Sequence, residues 1–457
     1  MLNFKKNPIV YGTILLSFSG LICRGIGFFY RLFISRAFGE EAMGIFQLTS
    51  PVLMLAFSLT CGGTQTAISR YTAACLGIKN EKDAKKFLFT GCILSFSLAL
   101  LYSIIVYGQA ENISTYFLQE KRCASLLKIC AFSFPFSALH CCFNGYFYGK
   151  KETKIPSFTQ ITEQLIRVGT VLCLYYFFLH QGKHPTIALT CIGMLLGEVC
   201  SFFISFLYFL STDTFKKTPF RSGFSGNLPS SFPNTPASSD SIFSVCKQLL
   251  ALSIPLTFSR VIVNLLQSYE AILLPTRLRL FGYSNETALS IYGVLTGMAF
   301  SLVFFPSTFA NSVSVLLLPT VSEASSAKNY KQIKNTIGKS IFFSLFLGFI
   351  CTLAFYLPGN FWGVFLFDSQ LAGTFIRQLS FLCPFLYLHI TLTSILNGLK
   401  RSKTTLFINT FSLLLRLCFI IYLVPVYGIK GYLWGLLLSE FFSSALCSFS
   451  LRKYLFL

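Results

Sequence analysis

Long apolar runs separated by short polar connections dominate this chain of 457 residues. Each run is close to the roughly 20 residues that an α-helix needs to cross a bilayer, so the pattern predicts a membrane protein with about twelve transmembrane helices. The predicted spans are residues 8–34, 44–69, 84–108, 124–148, 155–179, 186–210, 246–275, 288–320, 335–357, 374–398, 404–425 and 430–451. The fold class that follows is an all-α polytopic membrane protein.

Lysine and arginine are concentrated in alternate connections between these runs. Short loops rich in these residues remain on the cytoplasmic side of a membrane, so we predict that both termini are cytoplasmic. The basic connections hold Lys5 and Lys6, residues 70–86, Lys150, Lys151 and Lys154, Lys216, Lys217, Arg221 and Lys247, residues 328–339, Lys400, Arg401 and Lys403, and Arg452 and Lys453. The net charge of +21 follows mostly from this bias, and we expect no nucleic-acid partner.

The 16 cysteines do not indicate disulfides or a metal centre. Most of them, such as Cys92, Cys173 and Cys351, lie inside predicted spans, where a free cysteine behaves as a small hydrophobic residue. No CxxC pair and no histidine at metal-ligand spacing accompanies them. We therefore predict no metal site.

The sequence contains an internal repeat. Residues 134–168 align with residues 383–417 without a gap, which pairs Pro135 with Pro384, His140 with His389, Gly149 with Gly398, Lys151 with Lys400, Lys154 with Lys403, and Arg167 with Arg416. A weaker match, at a slightly different offset, pairs Ser17 and Arg24 with Ser253 and Arg260. The repeating unit contains six predicted helices.

A repeat of six helices returns the chain to the side of the membrane on which it began. The two halves therefore have the same topology and are expected to form two parallel lobes around a central cavity. We predict a first lobe at residues 1–210, a cytoplasmic linker at 211–245 that is rich in Ser, Pro, Gly and Asn, and a second lobe at 246–457.

Four arginines lie near the middle of apolar runs: Arg24, Arg167, Arg260 and Arg416. An arginine at the centre of a spanning helix costs roughly 2.5–3.5 kcal/mol on insertion scales, so such residues usually line a polar pathway or pair with an acid. A guanidinium remains protonated when it is desolvated, and it binds phosphate oxygens through two donors. The pattern favours a cationic cavity that binds an anion.

Arg24 and Arg31 are seven residues apart and share one face of the first span. We predict that Arg24 and Arg260 are the central ligands of a pyrophosphate headgroup, with Arg31 at the outer mouth and Arg70 at the cytoplasmic mouth. The alternative for Arg24 and Arg260 is a structural ion pair. The alternative for Arg31 and Arg70, which lie near helix ends, is contact with lipid phosphates.

The other two arginines differ in their neighbours. Glu163 precedes Arg167 by four residues, in the favourable order for a helical ion pair, so Arg167 is the weakest candidate ligand. Ser412 occupies the matching place before Arg416, which leaves Arg416 as a candidate for headgroup binding.

Four glutamates lie within predicted spans: Glu163, Glu198, Glu270 and Glu440. They are candidates for counter-charges to the arginines or for carriers of a coupling ion, Na⁺ or H⁺, driven with the membrane potential. The sequence does not choose between these roles. No other cofactor is expected.

Five prolines fall inside or near the middle of spans: Pro51, Pro135, Pro255, Pro306 and Pro384. A proline lacks the backbone donor and clashes with the preceding turn, so it favours a kink. We predict that these residues are hinges for movement between two conformations.

Several short segments resemble the polysaccharide-exporter family of the MOP superfamily, which includes sporulation proteins and lipid II flippases. The segments are Arg24-Gly25-Ile26-Gly27-Phe28, Phe38-Gly39, Gly44-Ile45-Phe46-Gln47-Leu48, Gly62-Gly63, Ala67-Ile68-Ser69-Arg70, Ile155-Pro156-Ser157 and Glu163-Gln164-Leu165-Ile166-Arg167-Val168. The resemblance implies a MATE-like fold in the bacterial cytoplasmic membrane. It also implies outward movement of undecaprenyl-pyrophosphate-linked oligosaccharides by alternating access.

The resemblance carries further expectations about substrate and partners. The cargo is expected to be lipid II or a related peptidoglycan precursor, for growth or for the spore cortex, and the protein is expected to be a monomer among membrane lipids. Cell-wall synthesis enzymes are candidate partners. Members of the family usually add two further helices after the second lobe, which in the lipid II flippases help form a groove for the lipid tail. This sequence ends at Leu457, which leaves room for a divergent substrate.

Two other classes compete with this interpretation. A polytopic glycosyltransferase or wall polymerase would need a sizeable exposed catalytic loop, and the connections on the non-cytoplasmic side are short and lack paired carboxylates. A drug or organic-cation exporter of the same two-lobe architecture would need an acidic cavity, whereas the predicted interior is basic. A transporter rather than an enzyme is therefore expected.

Overall fold

The first lobe consists of six helical passes. The computed structural model describes residues 8–78, 80–215, 242–327 and 329–455, and no strand occurs among them. The elements of the first lobe are α1 (Pro8–Phe57), a π-helical turn (Ser58–Gly62), α2 (Gly63–Gly77), α3 (Glu81–Gly108), α4 (Ala110–Asn112), a π-helical turn (Ile113–Phe117), α5 (Cys123–Ala131), α6 (Phe134–Gly149), α7 (Lys154–His180) and α8 (Ala188–Phe215).

The second lobe repeats this arrangement with more breaks. Its elements are α9 (Ile242–Leu280), α10 (Asn285–Gly293), a π-helical turn (Val294–Ala299), α11 (Phe300–Val303), α12 (Ser307–Ser326), α13 (Tyr330–Tyr356), α14 (Gly359–Phe367), α15 (Gln370–Leu379), a 3₁₀ turn (Ser380–Leu382), α16 (Cys383–Gly398), α17 (Ser402–Tyr422), α18 (Val424–Tyr427) and α19 (Ile429–Leu455). The linker predicted at 211–245 falls mainly on residues 216–241, which lie outside the described residues.

Nine stretches of the described helices are long and apolar enough to cross a membrane, and ten are when α5 and α6, bent by 47°, count as one span. One of the nine, Ile14–Gly77, holds two of the predicted spans. Gly39 separates them, because its φ of 83° and ψ of 177° break α1 into two passes. Each predicted span coincides with one helical pass. The all-α polytopic fold is confirmed.

The internal repeat is visible in the backbone. Asn80 and Asn329 cap α3 and α13, and each side chain accepts a hydrogen bond from a main-chain N–H three residues later. Lys151 and Lys400 adopt left-handed φ angles of 60° and 61° directly after α6 and α16. Both pairs have the separation that aligns residues 134–168 with 383–417. The repeat therefore extends from the start of the third pass of each lobe.

Successive passes alternate in direction, so the connections after α2, α6, α12 and α16 lie at one end of the molecule. We call it the basic end, because it holds Lys150, Lys151, Lys400 and Arg401. The opposite end, called the far end, holds the break at Gly39 and residues 109–122.

Three of the five prolines lie at helix breaks. Pro135 and Pro384 occupy the first turns of α6 and α16, and Pro306 precedes α12. At these positions a missing N–H leaves no helical bond unmade. Pro51 and Pro255 lie inside α1 and α9. The hinge role of all five stays a prediction.

Glycines let the two lobes approach each other at the level of the backbone. A Cβ at Gly44 of α1 would lie 2.1 Å from the carbonyl oxygen of Leu289 in α10, and a Cβ at Gly63 of α2 would lie 2.5 Å from that of Ser253 in α9. These distances are shorter than any non-bonded contact. Side chains at either position would push the lobes apart.

We expect that Gly63→Ala destabilises the protein by about 1–3 kcal/mol, the range for forcing extra atoms into a packed site. The added Cβ would meet Thr257 Oγ1 at 2.1 Å as well as the Ser253 carbonyl. Thermal unfolding of the purified protein in detergent measures the change. Gly25→Ala is the matched control, because its Cβ would meet no atom within 4 Å; equal midpoints for the two variants would contradict the expectation.

Candidate substrate cavity

A cavity of about 660 Å³ lies between the two lobes. Residues of α1, α7 and α8 line it from the first lobe, and residues of α11, α12 and α16 line it from the second. Its charged lining consists of Arg24, Arg31 and Arg167, and no carboxylate is among the described residues that line it. The cavity is therefore cationic.

Arg24 lines the cavity and also contacts the second lobe. Its Nη1 atom donates a hydrogen bond to Thr308 Oγ1 of α12 at 3.2 Å, while the side chain as a whole is exposed to the cavity. Arg31 lies two helical turns further along α1 and lines the same cavity. The structure thus places both residues on one face, and their binding of a headgroup stays a prediction.

Arg260, which the sequence predicts to be a central ligand together with Arg24, lies outside the cavity lining. Its Nη1 donates to the carbonyl oxygen of Gly62 at 2.6 Å, and its Nη2 donates to Thr66 Oγ1 at 3.3 Å. The reason is local. The glycines Gly62 and Gly63 allow α9 to pack against the π-helical turn, and a π turn shifts the helical hydrogen-bond register, so that the guanidinium reaches this carbonyl. Arg260 joins the lobes rather than lining the cavity.

Two other predicted ligands also lie outside the cavity lining. Arg70 is exposed near the basic end of α2. Arg416 forms an ion pair with Glu270 of α9 at 3.1 Å. Arg167 was the weakest candidate, yet it lines the cavity while its guanidinium also bonds Glu163. The i, i+4 spacing indicated the ion pair and gave no sign of the cavity.

A cluster of titratable side chains surrounds Arg167 in the first lobe. We call His140, Glu163, Arg167 and Glu198 the first cluster. The His140 Nδ1 atom lies 3.6 Å from Glu198 Oε2, and the ligand atoms of His140, Glu163 and Glu198 all lie within 4.8 Å of one another. Asn144 Nδ2 lies 2.9 Å from the other ring nitrogen of His140. This donor set could hold a proton or a small cation.

The second lobe contains an equivalent cluster, formed by His389, Arg416, Glu440 and Glu270. His389 Nδ1 lies 2.9 Å from Glu440 Oε2, and its Nε2 lies 3.2 Å from Asn409 Oδ1. Tyr432 donates a hydrogen bond to Glu270 Oε1 at 2.9 Å, and Arg416 contacts the other oxygen of the same carboxylate. We call this the second cluster. It is the more fully hydrogen-bonded of the two.

Polar contacts between the lobes close the cavity at the far end. Glu40 accepts hydrogen bonds from Ser290 at 2.6 Å and from Ser369 at 2.5 Å, both in the second lobe. Arg36 donates to the carbonyl oxygen of Leu366 at 2.8 Å. Asn285 donates to Glu120 at 2.8 Å. These contacts join the two lobes at the far end.

The Glu120 contact is present at neutral pH. Burial raises the pKa of Glu120, but hydrogen bonds from Arg122 and Asn285 outweigh burial and hold that pKa below its usual value. Since the pKa is lowered in the folded state, the stabilisation from this contact exists above the ordinary carboxyl pKa and is lost as the pH falls through the lowered one.

Sequence comparison identifies the family. The MatE family profile matches residues 16–171 and 255–422, which is more than half of the chain. The chain belongs to the MatE family. Members of this family are transporters, so the chain is a transporter and the glycosyltransferase alternative falls away.

Relatives of this MatE protein come from Bacillus subtilis strain 168. Stage V sporulation protein B is 26% identical over 93% of this chain and 80% of its own length. Sporulation protein YkvU is 24% identical over 89% of this chain and 86% of its own length. Lipid II flippase MurJ is 19% identical over 75% of this chain and 63% of its own length.

Solved structures agree with the MatE assignment. An inward-facing multidrug resistance MATE transporter of the MOP superfamily matches with a TM-score of 0.69 and 13% identity over 95% of each chain. An outward-facing conformation of such a transporter matches with a TM-score of 0.66 and 14% identity over 98% of this chain and 96% of its own. At these identities the likeness shows the fold, which confirms the two-lobe MATE-like architecture.

We expect that Glu270→Gln destabilises this MatE protein by about 3–5 kcal/mol, because removing one partner of a buried pair leaves the other charge unpaired. Arg416 is 19% exposed and would have lost its ion-pair partner. The double variant Glu270→Gln/Arg416→Gln is expected to recover most of the loss. Thermal unfolding of the parent, both single variants and the double variant measures these changes in stability. Additive effects of the two substitutions would show that Glu270 and Arg416 are not coupled.

Proposed function

We propose that this protein exports an undecaprenyl-pyrophosphate-linked oligosaccharide, lipid II or a related peptidoglycan precursor, across the cytoplasmic membrane. The observation that carries the proposal is the interlobe cavity, which is lined by Arg24, Arg31 and Arg167 and by no carboxylate among its described residues. A pyrophosphate carries at least two negative charges when bound as a diester. Moving it through hydrocarbon requires fixed donors in place of water.

The size and lining of the cavity support a headgroup rather than a lipid tail. Its volume of about 660 Å³ lies within the roughly 300–1,000 Å³ typical of small-molecule sites. Polar side chains such as Gln47, Gln164 and Asn311 lie beside the arginines and can bond sugar hydroxyls. The polyprenyl tail then stays in the bilayer, where it needs no polar partner.

The charge bias supports the direction of transport. If the basic end faces the cytoplasm, as short loops rich in lysine and arginine do, the polar contacts of Glu40, Arg36 and Glu120 close the outer side. The described state would then load its cargo from the cytoplasm. Release outside requires these contacts to open while the basic end closes.

The relatives support a peptidoglycan-type cargo. One is named as a lipid II flippase and two are named for sporulation, which favours a role in growth or in building the spore wall. A monomeric state and contact with wall-synthesis enzymes stay predictions. Export of an organic cation is less favoured, since a cation in this cavity would face three arginines.

We expect that Arg24→Ala and Arg31→Ala each reduce export by tenfold or more. A hydrogen bond to a charged group contributes about 1.5–3 kcal/mol, and each substitution removes such donors from the cavity. Lipid II exposure is measured in bacteria depleted of their own flippase, by cleavage with an externally added lipid II-degrading toxin. Arg24→Lys is expected to give intermediate export, because it keeps the charge and loses the planar fork.

Lys331→Ala is the matched control, since it removes one exposed cation at the start of α13 and lies outside the cavity lining. Its export should equal that of the parent at equal expression. A well-expressed parent that restores no cleavage would rule out lipid II as the cargo. Equal export by the parent and both alanine variants would rule out the cavity as the binding site.

A further inference from the structure

The guanidinium of Arg167 is shared between two sites. It lines the interlobe cavity and at the same time bonds the carboxylate of Glu163, one helical turn earlier on α7. An anion that enters the cavity must compete with Glu163 for this guanidinium. Arg24 and Arg31, in contrast, form no ion pair with a described residue.

The charges around Glu163 make that competition depend on a proton. Glu163 faces Arg167 on its own helix, Glu198 on α8, His140 on α6 and Cys23 on α1. If Arg167 turns to an anion, two carboxylates remain within 4.8 Å of each other, with the His140 ring as their neighbour in this cluster of described residues. Two such charges in a low dielectric cannot both remain ionised at little cost, and one proton removes the repulsion.

The first cluster also has free acceptor capacity, which a proton could use. Glu198 Oε2 is fully shielded from solvent and makes no hydrogen bond with a described residue. The His140 Nδ1 atom lies 3.6 Å from Glu198 Oε2, which is beyond hydrogen-bond length. A protonated carboxyl at this place would be able to donate to the other carboxylate.

The second cluster is the more fully hydrogen-bonded one, although Nε of Arg416, like Nε of Arg167, makes no hydrogen bond with a described residue. There Glu270 is bonded by both Arg416 and Tyr432, and His389 lies between Glu440 and the oxygen of Asn409. Both ring nitrogens of His389 therefore face oxygen atoms, and the Glu270 carboxylate has two hydrogen-bond donors. Arg416 also lies outside the cavity lining. An anion in the cavity therefore cannot replace Glu270 as the partner of Arg416.

We propose that the Glu163–Glu198 pair takes up one proton when a pyrophosphate headgroup binds, so that Arg167 exchanges its bond with Glu163 for the headgroup. The proton comes from the buffered aqueous solution and binds one carboxylate oxygen, while the ion pair between Glu163 and Arg167 breaks. This inference rests on the proposed function, because it names how that same cavity binds its cargo. Binding of the headgroup and binding of the proton then favour each other.

Isothermal titration calorimetry on the purified full-length protein in nanodiscs tests the exchange. The probe is farnesyl-pyrophosphoryl-N-acetylglucosamine, whose pyrophosphate is a diester and so lacks the second, near-neutral phosphate pKa of a monoester. Titrations at pH 7 in buffers with different heats of ionisation give the number of protons taken up. We expect between about 0.5 and 1 proton per probe for the parent, and binding up to about tenfold tighter for each unit fall in pH, as uptake of one proton requires.

Two variants should abolish the uptake. Glu163→Gln removes the competing carboxylate, so its proton uptake should fall to near zero, and its affinity at pH 7.5 should rise and lose its pH dependence. Glu198→Gln leaves Glu163 as the one carboxylate beside Arg167, and this variant should also take up no proton. It replaces Glu163→Gln if thermal unfolding shows that Glu163→Gln is not folded. Glu440→Gln is the matched control from the second cluster and should keep the uptake of the parent.

The outcomes separate this inference from the proposed function. A parent that binds the probe without proton uptake, or glutamine variants with the uptake of the parent, would overturn the exchange and leave lipid export standing. A folded parent that does not bind the probe would overturn both. If Glu440→Gln lost the uptake while Glu163→Gln kept it, the proton site would lie in the second lobe and the assignment to Arg167 would be wrong.

Discussion

Each arginine inside this helical bundle needs an acceptor, because a guanidinium keeps its proton when desolvated and an unpaired buried charge is costly. The chain meets this need in different ways. Arg416 has a carboxylate, Arg260 has a backbone carbonyl and Arg24 has a threonine hydroxyl. A hydroxyl cannot neutralise the charge. Arg24 and Arg31, which both line the cavity, form no ion pair with a described carboxylate, and an anionic ligand would neutralise their charge.

The same constraint ties the electrostatics to the contact between the lobes. Arg260 reaches the carbonyl of Gly62 because two glycines let α9 and α2 meet without side chains between them. Asn264, one turn further along α9, bonds Ser58 at the other end of the π-helical turn. If the lobes rock apart here, both polar groups lose their partners. The interface between α9 and α2 is thus held by polar bonds, which have definite partners and break one at a time, rather than by apolar packing alone.

The sequence was sufficient for the fold and for part of the site. Apolar runs and the repeat predicted the passes and the two lobes, because both depend on local composition and on spacing along the chain. The seven-residue spacing of Arg24 and Arg31 placed them on one face, since helix geometry alone decides that. The ion pair of Arg167 with Glu163 followed from the same rule.

The remaining site residues depend on contacts that spacing does not encode. The partner of Arg416 is Glu270, which lies on the first pass of the second lobe, and the partner of Arg260 is a main-chain oxygen at a π-helical turn. A carbonyl carries no side-chain signature, so no pattern of residue types could have identified it. What failed was the expectation that Arg416, which has Ser412 in place of an acid one turn earlier, would be free to bind a headgroup.

That failure has a physical cause in the repeat itself. Both clusters contain one arginine, one histidine and two glutamates, but the acid that pairs with the arginine is on the same helix in the first lobe and on a neighbouring helix in the second. An acid one turn away follows its arginine wherever the helix moves, so the pair can face the cavity. An acid on another helix fixes the arginine between two elements and holds it away from the cavity. Moving a single carboxylate is thus enough to turn one copy of a duplicated cluster into a structural pair and leave the other available to a ligand.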